Sequence, residues 1–160
     1  MADVHERLIA LFNEHGARYH VIEHEPEGRS EAISRIRGNH PSQAMKAIVV
    51  SVRGGGGGKR NALAVIPGDR RLDRKALLGV LGAQKGRFTT AEEAEKLSGC
   101  VMGAVPPFSF RKDLPLIVDN ECTVNAKVVF NAGRLDRSVF IALEDYVAVA
   151  KPRFADISGS

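Results

Sequence analysis

The stretch Ser98 to Phe110, SGCVMGAVPPFSF, sets Gly99, Gly103, Pro106 and Pro107 inside an otherwise apolar run. Glycine reaches backbone angles closed to other residues, and proline fixes φ while removing an N–H donor. Such a stretch can neither continue a helix nor lie in a central strand, so it predicts a shaped loop. Two readings follow from that. It is a tight connection between a helix and a strand, or a loop whose small residues let a ligand come close to backbone amides.

The flanking pattern predicts the elements around this loop. Asp3 to His15 reads as an amphipathic helix, with Leu8, Leu11 and Phe12 on one face and Gly16 at its end. Arg18 to His24 alternates as a strand, and Ser30 to Arg37 reads as a helix capped by Ser30. MKAIVVSV and NALAVIP are β-branched strands joined by the glycine run Gly54 to Gly58, which predicts a hairpin with a flexible tip. Asp73 to Leu81 and Thr90 to Leu97 are short helices, the second opening on a capping box with Glu93. Leu114 to Asp119, AKVVFNAG and SVFIAL read as strands, and Glu144 to Lys151 as a helix; the tail after Arg153 carries no strong signal. Helices and strands alternate irregularly, with hairpins rather than βαβ repeats. The expectation is a compact mixed α/β (α+β) fold, a largely antiparallel or barrel-like sheet surrounded by short helices, one domain over residues 1–160.

Charge narrows the partners. The formal net charge of +4 and a pI near 9.3 suit a polyanion, and the cations are spread from Arg29 to Arg87 rather than gathered in one element. That dispersion fits broad contact with a nucleic-acid backbone better than a compact sequence reader. No apolar run approaches the roughly 18–20 residues of a membrane span, and MADVHERLIALF lacks the pattern of a cleaved leader, which points to the cytoplasm. Cys100 and Cys122 stand apart with no CxxC pair, so structural zinc is not expected. Cys100, inside the loop, is either a nucleophile or a small buried hydrophobe.

Several motifs bear on chemistry. GGGGGKR fails as a phosphate loop, because Arg53 stands where the first glycine belongs and a strand follows instead of a helix. His20 and His24 would lie roughly 13 Å apart along a strand, too far to chelate one ion. No GxSxG elbow occurs. Lys46 opens an apolar strand, where an ammonium facing a core needs an anionic or carbonyl partner; otherwise it snorkels at the strand end. Asp119, ending another apolar strand, is a pocket acid or a turn residue.

Together these residues resemble a known family. The order is an EH-P turn at His24 and Pro26, a helix, a lysine opening a strand (QAMKAIVV), and the pattern G-x-x-x-G-x-V-x-P-F as GCVMGAVPPF. A strand ending in IVD and the segment FNAG follow. This resembles the YbaK/prolyl-tRNA synthetase-associated editing domain family over about Tyr19 to Tyr146. The resemblance implies a compact α/β domain that hydrolyses the ester of mischarged aminoacyl-tRNA, free-standing here because no synthetase sequence surrounds it. It implies neither metal nor nucleotide cofactor, an aminoacyl-tRNA acceptor end as substrate, and a synthetase as a further partner; membrane and DNA are not expected partners. Lys46 matches the family lysine, and Gly99, Gly103 and Val105 the glycine loop. Met102, Ala104, Pro107, His24 and Asp119 complete the expected substrate-binding set, with Lys46 and Gly103 as the catalytic pair.

Within that resemblance, loop amides would stabilise the charge that develops on the carbonyl oxygen. Lys46 would hold the terminal phosphate or the carbonyl, and the tRNA's own terminal hydroxyl would help activate water. A small pocket would act as a size sieve favouring alanine, serine, threonine or cysteine. Ala104 and Ser109 replace glycines of many relatives and are expected to add bulk beside the pocket. A non-catalytic module binding tRNA or a synthetase, and a hydrolase of other small esters, are the competing readings.

Overall fold

Residues 3–160 are described by a computed structural model. Helix α1 (Val4–Glu14) is capped by the Asp3 carboxylate, which accepts from the Glu6 amide at 2.8 Å. Strand β1 (Tyr19–Glu23) and helix α2 (Ser30–Arg37) follow, then a 3₁₀ turn at Pro41–Gln43. Arg29, not Ser30, is the residue before the first turn of α2, and no side chain caps that helix. The hairpin comes next, β2 (Met45–Gly54) with β3 (Gly57–Pro67), then β4 (Arg71–Leu72) and α3 (Arg74–Leu81). Strand β5 (Lys85–Phe88) leads to α4 (Ala91–Ser98), whose Thr90–Glu93 capping box forms as expected. After the loop come β6 (Leu116–Asp119), β7 (Lys127–Arg134), β8 (Arg137–Ala142), α5 (Leu143–Ala150), β9 (Arg153–Ala155) and β10 (Ser158–Gly159).

The strands form a five-stranded sheet in the order β5-β2-β3-β6-β9, a three-stranded sheet β1-β8-β7, and the small pair β10-β4. Pairing is antiparallel except where β6 runs parallel to β3 and to β9. Alternation along the central strands divides two cores. Met45, Val49, Leu63, Val65, Leu116 and Val118 point toward α1 and the three-stranded sheet. Val50, Val52, Ala62, Ala64, Ile66 and Ile117 point the other way, toward Leu77 of α3 and Ile157. A sheet buried on both faces needs apolar side chains at successive positions, which is why these strands read as continuous β-branched runs.

The glycine tip is held rather than loose. A Cβ on Gly55 would fall 1.8 Å from the Gly82 carbonyl oxygen, so the turn packs directly on the end of α3. The Arg60 guanidinium donates to the carbonyls of Gly54, Gly58, Leu81 and Gly82 across that contact.

The tail after Arg153 is also structured, through Asp119. This carboxylate is 1% exposed; it accepts from the Ile157 amide at 2.8 Å, the Ser158 hydroxyl at 2.6 Å and the Glu121 amide at 3.2 Å. No helix among the described residues is long and apolar enough to cross a membrane.

Candidate active site

Strand β5 pairs with β2 only over Val50–Arg53. Beyond it the outer edge of β2 is met at two places among the described residues. Thr89 donates to the Val49 carbonyl through its amide at 3.2 Å and its hydroxyl at 3.1 Å. Ala44, just before the strand, bridges to Val129 of β7, which leaves the edge between them open. Backbone groups along an antiparallel strand alternate in direction. The carbonyls of Arg53 and Val49 face outward, to Gln84 and Thr89, so the N–H and C=O of Ala47 share that direction. Against this open edge lies a cavity of about 500 Å³, lined by β2 from Met45 to Val49, by α2, and by Met102, Gly103 and Val105 of the glycine loop.

The loop is fastened from behind. Phe108 packs edge-on to Phe130 and Tyr146, with ring centroids 5.6 and 5.1 Å away. Buried Tyr146 donates its hydroxyl to the Pro107 carbonyl at 2.6 Å. Asn131 of β7 donates from Nδ2 to the Gly103 and Glu27 carbonyls, each at 2.9 Å, and the Gly133 amide donates to the Ala104 carbonyl. These bonds consume loop carbonyls. Among the described residues the amides of Met102, Gly103 and Val105 have no partner, whereas that of Ala104 donates to Val101. The loop thus keeps unpaired amides at residues that line the cavity.

Gly103 has φ +90°, and a Cβ there would sit 2.8 Å from the Gly28 Cα. Two backbones meet glycine to glycine, with no room for a methyl. Gly103→Ala is expected to push the loop off Gly28 and, for the ester hydrolysis that the family resemblance implies, cut kcat/KM about tenfold, a loss of roughly 1.4 kcal/mol in transition-state stabilisation. Steady-state kinetics on the fully folded variant check this.

Two cations line the cavity and no carboxylate does, among the described residues. Lys46 is exposed at the edge rather than directed into a core, so it is a snorkelling lysine whose head is available to a ligand. Arg37, in the last turn of α2, bonds only neutral oxygens: Nε to Asn39 Oδ1 at 3.0 Å, and one terminal nitrogen to Ser138 Oγ and Asn131 Oδ1 at 3.3 and 3.5 Å. Its other terminal nitrogen has no partner among the described residues. Burial lowers the Arg37 guanidinium to about 10, which leaves it cationic at neutral pH.

Of the residues nominated from sequence, the cavity brings together Lys46, Met102, Gly103 and Val105. The others stand elsewhere. Gly99 ends α4 against Val4. Ala104 is wholly buried in the core, and Pro107 serves Tyr146 through its carbonyl. Asp119 ties down the tail. His24 lies behind the wall, with Nε2 2.7 Å from Ser138 Oγ and Nδ1 donating to the Glu25 carbonyl at 2.8 Å. Nor do the two departures from the family pattern narrow the pocket. The Ala104 methyl packs inward, and the Ser109 hydroxyl bonds carbonyls of its own turn, at Arg111 and Leu114.

Cys100 is 3% exposed, and burial pushes its thiol up to about 11, so it is a packing residue rather than a nucleophile. No group of three or more His, Cys, Asp or Glu side chains among the described residues is placed to hold a metal ion.

Sequence reasoning missed Arg37, Asn131 and the edge of Ala47. Arg37 lies one turn beyond buried Ile33 on the inner face of α2, and Asn131 is the one amide in the buried run VVFNA. Both were visible as polar residues on an apolar face.

Comparison with known proteins gives the family and the fold. The family model for the aminoacyl-tRNA editing domain matches residues 24–149. The chain is 38% identical over 153 residues to the multifunctional Ser/Thr-tRNA deacylase ProXp-y of Escherichia coli K12, covering 95% of this chain and 91% of that protein. It is 33% identical over 90 residues to the proline–tRNA ligase of Aquifex aeolicus, 56% of this chain and 15% of the ligase. In fold it matches the crystal structure of a candidate trans-editing enzyme for prolyl tRNA synthetase, with a TM-score of 0.81 and 22% identity over 100% of this chain and 99% of that one. The cavity, its loop and the lysine at its edge are therefore carried by a chain that belongs to the aminoacyl-tRNA editing domain family.

Proposed function

We propose that this chain acts as one domain that hydrolyses, in trans and in the cytoplasm, the ester joining serine or threonine to a tRNA that should not carry it. The observation that carries the reading is the cavity itself, which among the described residues has two cations, no carboxylate, and unpaired loop amides. An ester carbonyl becomes an oxyanion when water attacks, and donors fixed beforehand at that place lower the barrier. The amides of Gly103 and Val105 serve as those donors. Lys46 and Arg37 take the carbonyl oxygen and the phosphate of the terminal adenosine between them.

Among the described residues no carboxylate, histidine or cysteine lines the cavity to act as a general base. Water is then deprotonated with help from the vicinal hydroxyl of the terminal ribose. The carbonyl carbon–oxygen bond to the ribose breaks, the ribose oxygen takes a proton, and free amino acid and uncharged tRNA leave. The outward C=O of Ala47 suits the substrate's α-ammonium, which the two cations would otherwise repel. Alanine and cysteine esters fit by size and are the next candidates. A synthetase handling the same tRNA is the partner that would supply the mischarged substrate.

The test is amino-acid release from a panel of seryl-, threonyl-, alanyl-, cysteinyl- and prolyl-tRNA. Rapid hydrolysis of the first two and none of the last supports the reading; no hydrolysis of any removes it. Arg37→Gln is expected to raise KM about tenfold, since a charge-assisted hydrogen bond is worth roughly 1.5–3 kcal/mol. Arg37→Lys should recover part of that loss, which a purely structural role in the Asn131–Ser138 network would not allow. The reading as a non-catalytic module loses its motive, because Ala104 and Ser109 leave the cavity unobstructed.

A further inference from the structure

A second hollow, of about 580 Å³, runs between the hairpin tip and strand β5. Arg53, Lys59, Lys85 and Arg87 line it, and no carboxylate does among the described residues. Arg87 is held by Glu93, both terminal nitrogens on both carboxylate oxygens at 2.9 and 3.0 Å. The net charge of the groove therefore rests on Arg53, Lys59 and Lys85, all exposed. Strand β5 connects this groove to the cavity, running from Lys85 in the groove to Phe88 on the cavity rim, roughly 10 Å.

Phe88 is unusual for an edge strand. The residue is 46% exposed, with the Arg74 guanidinium 4.2 Å from the ring centroid. An exposed aromatic beside an open sheet edge invites association unless a partner uses it. A ring held by an arginine and still about half exposed can stack a base, and a cationic groove leading to such a ring matches a charged backbone with unstacked bases. A duplex would offer phosphates to the groove but no free base face to Phe88.

We propose that the groove and Phe88 together form the track for the unpaired 3′-terminal nucleotides of tRNA, leading them to the ester in the cavity. Phe88 stacks one base on its exposed surface, and Arg53, Lys59 and Lys85 take the phosphates that follow. This rests on the deacylase reading for the identity of the strand.

The experiment measures binding of an uncharged acceptor-stem hairpin, with and without its unpaired 3′ end, over a range of salt. Arg53→Ala, Lys59→Ala and Lys85→Ala combined should weaken binding of the intact hairpin at least tenfold at low salt. They should also flatten the slope of log affinity against log salt by about 2, near 0.7 per lost contact to a single strand. Phe88→Ala should weaken it about tenfold with the slope unchanged, the size of a lost base–aromatic stack, and Phe88→Trp should restore it. The trimmed hairpin should bind weakly and ignore the Phe88 change. Unchanged affinity and slope in the triple variant, or a trimmed hairpin bound as tightly as the intact one, overturns the proposal. Uncharged RNA makes the outcomes separable. The expected binding pattern without any hydrolysis removes the deacylase reading and keeps the track, while hydrolysis without that pattern does the reverse.

Discussion

Lys46→Ala is expected to lower deacylation kcat/KM about 10²–10³-fold and leave the melting temperature unchanged. The first expectation follows from what lines the cavity. Among the described residues no carboxylate lines the cavity, and Lys46 and Arg37 are the two cations there that can meet an oxyanion or a phosphate. Removing one preorganised donor from such a site costs roughly 2.7–4 kcal/mol in the transition state. The second follows from exposure. The Lys46 side chain lies at the open edge of β2, and exposed substitutions away from caps and turns move stability by less than about 0.5 kcal/mol. Lys46→Arg should keep part of the activity, because charge survives while reach and geometry change. Steady-state hydrolysis with a thermal melt on the same preparation reads both halves. Full activity in Lys46→Ala would move the chemistry to Arg37 and the loop amides.

Asp119→Ala is expected to cost about 3 kcal/mol of stability while the folded protein keeps its activity. The carboxylate sits where β6 ends and the tail returns, accepting from the amide of fully buried Ile157 and from the Ser158 hydroxyl. Deleting it strands a buried N–H away from water, at about 1–3 kcal/mol, and loses a charge-assisted bond besides. It also frees the residues that pair β9 with β6 and β10 with β4. For a chain of this size, 3 kcal/mol lowers the melting temperature by roughly 6–12 °C. Asp119→Asn retains an oxygen for the Ile157 amide and should lose less than half as much. Chemical denaturation measures the difference directly. Loss of kcat without loss of stability would instead return Asp119 to the active site.

Asp119 also shows where sequence is a poor guide. An acid at the end of an apolar strand reads equally as a pocket group or a turn residue, and only the tail's return decides. That tail forms strands of two and three residues, too short to show alternation, with their place set by a distant carboxylate. Strand β5 was illegible for a related reason. KGRF is exposed at every position, so its pairing is dictated by the edge of β2 rather than by its own pattern.

By contrast, the β2–β3 hairpin was plain, since β-branched runs flanking a glycine cluster leave the chain few other arrangements. The site was half legible. Lys46 and the loop carried a recognisable spacing, and Met102, Gly103 and Val105 do reach the cavity. Gly99, Ala104 and Pro107 share the motif but shape the loop from outside, at a helix end and in the aromatic core. Spacing alone cannot separate residues that line a pocket from those that hold its wall. Arg37 and Asn131 come from α2 and β7 and meet only through the packing of three elements.

The most direct test of the account is the rate at which wild-type protein and Lys46→Ala release serine from seryl-tRNA mischarged on a tRNA for another amino acid. The account predicts fast release by the wild type and a loss of about 10²-fold or more in the variant, with both proteins equally folded. Equal rates for the two, or no release above the spontaneous rate by the wild type, would contradict it.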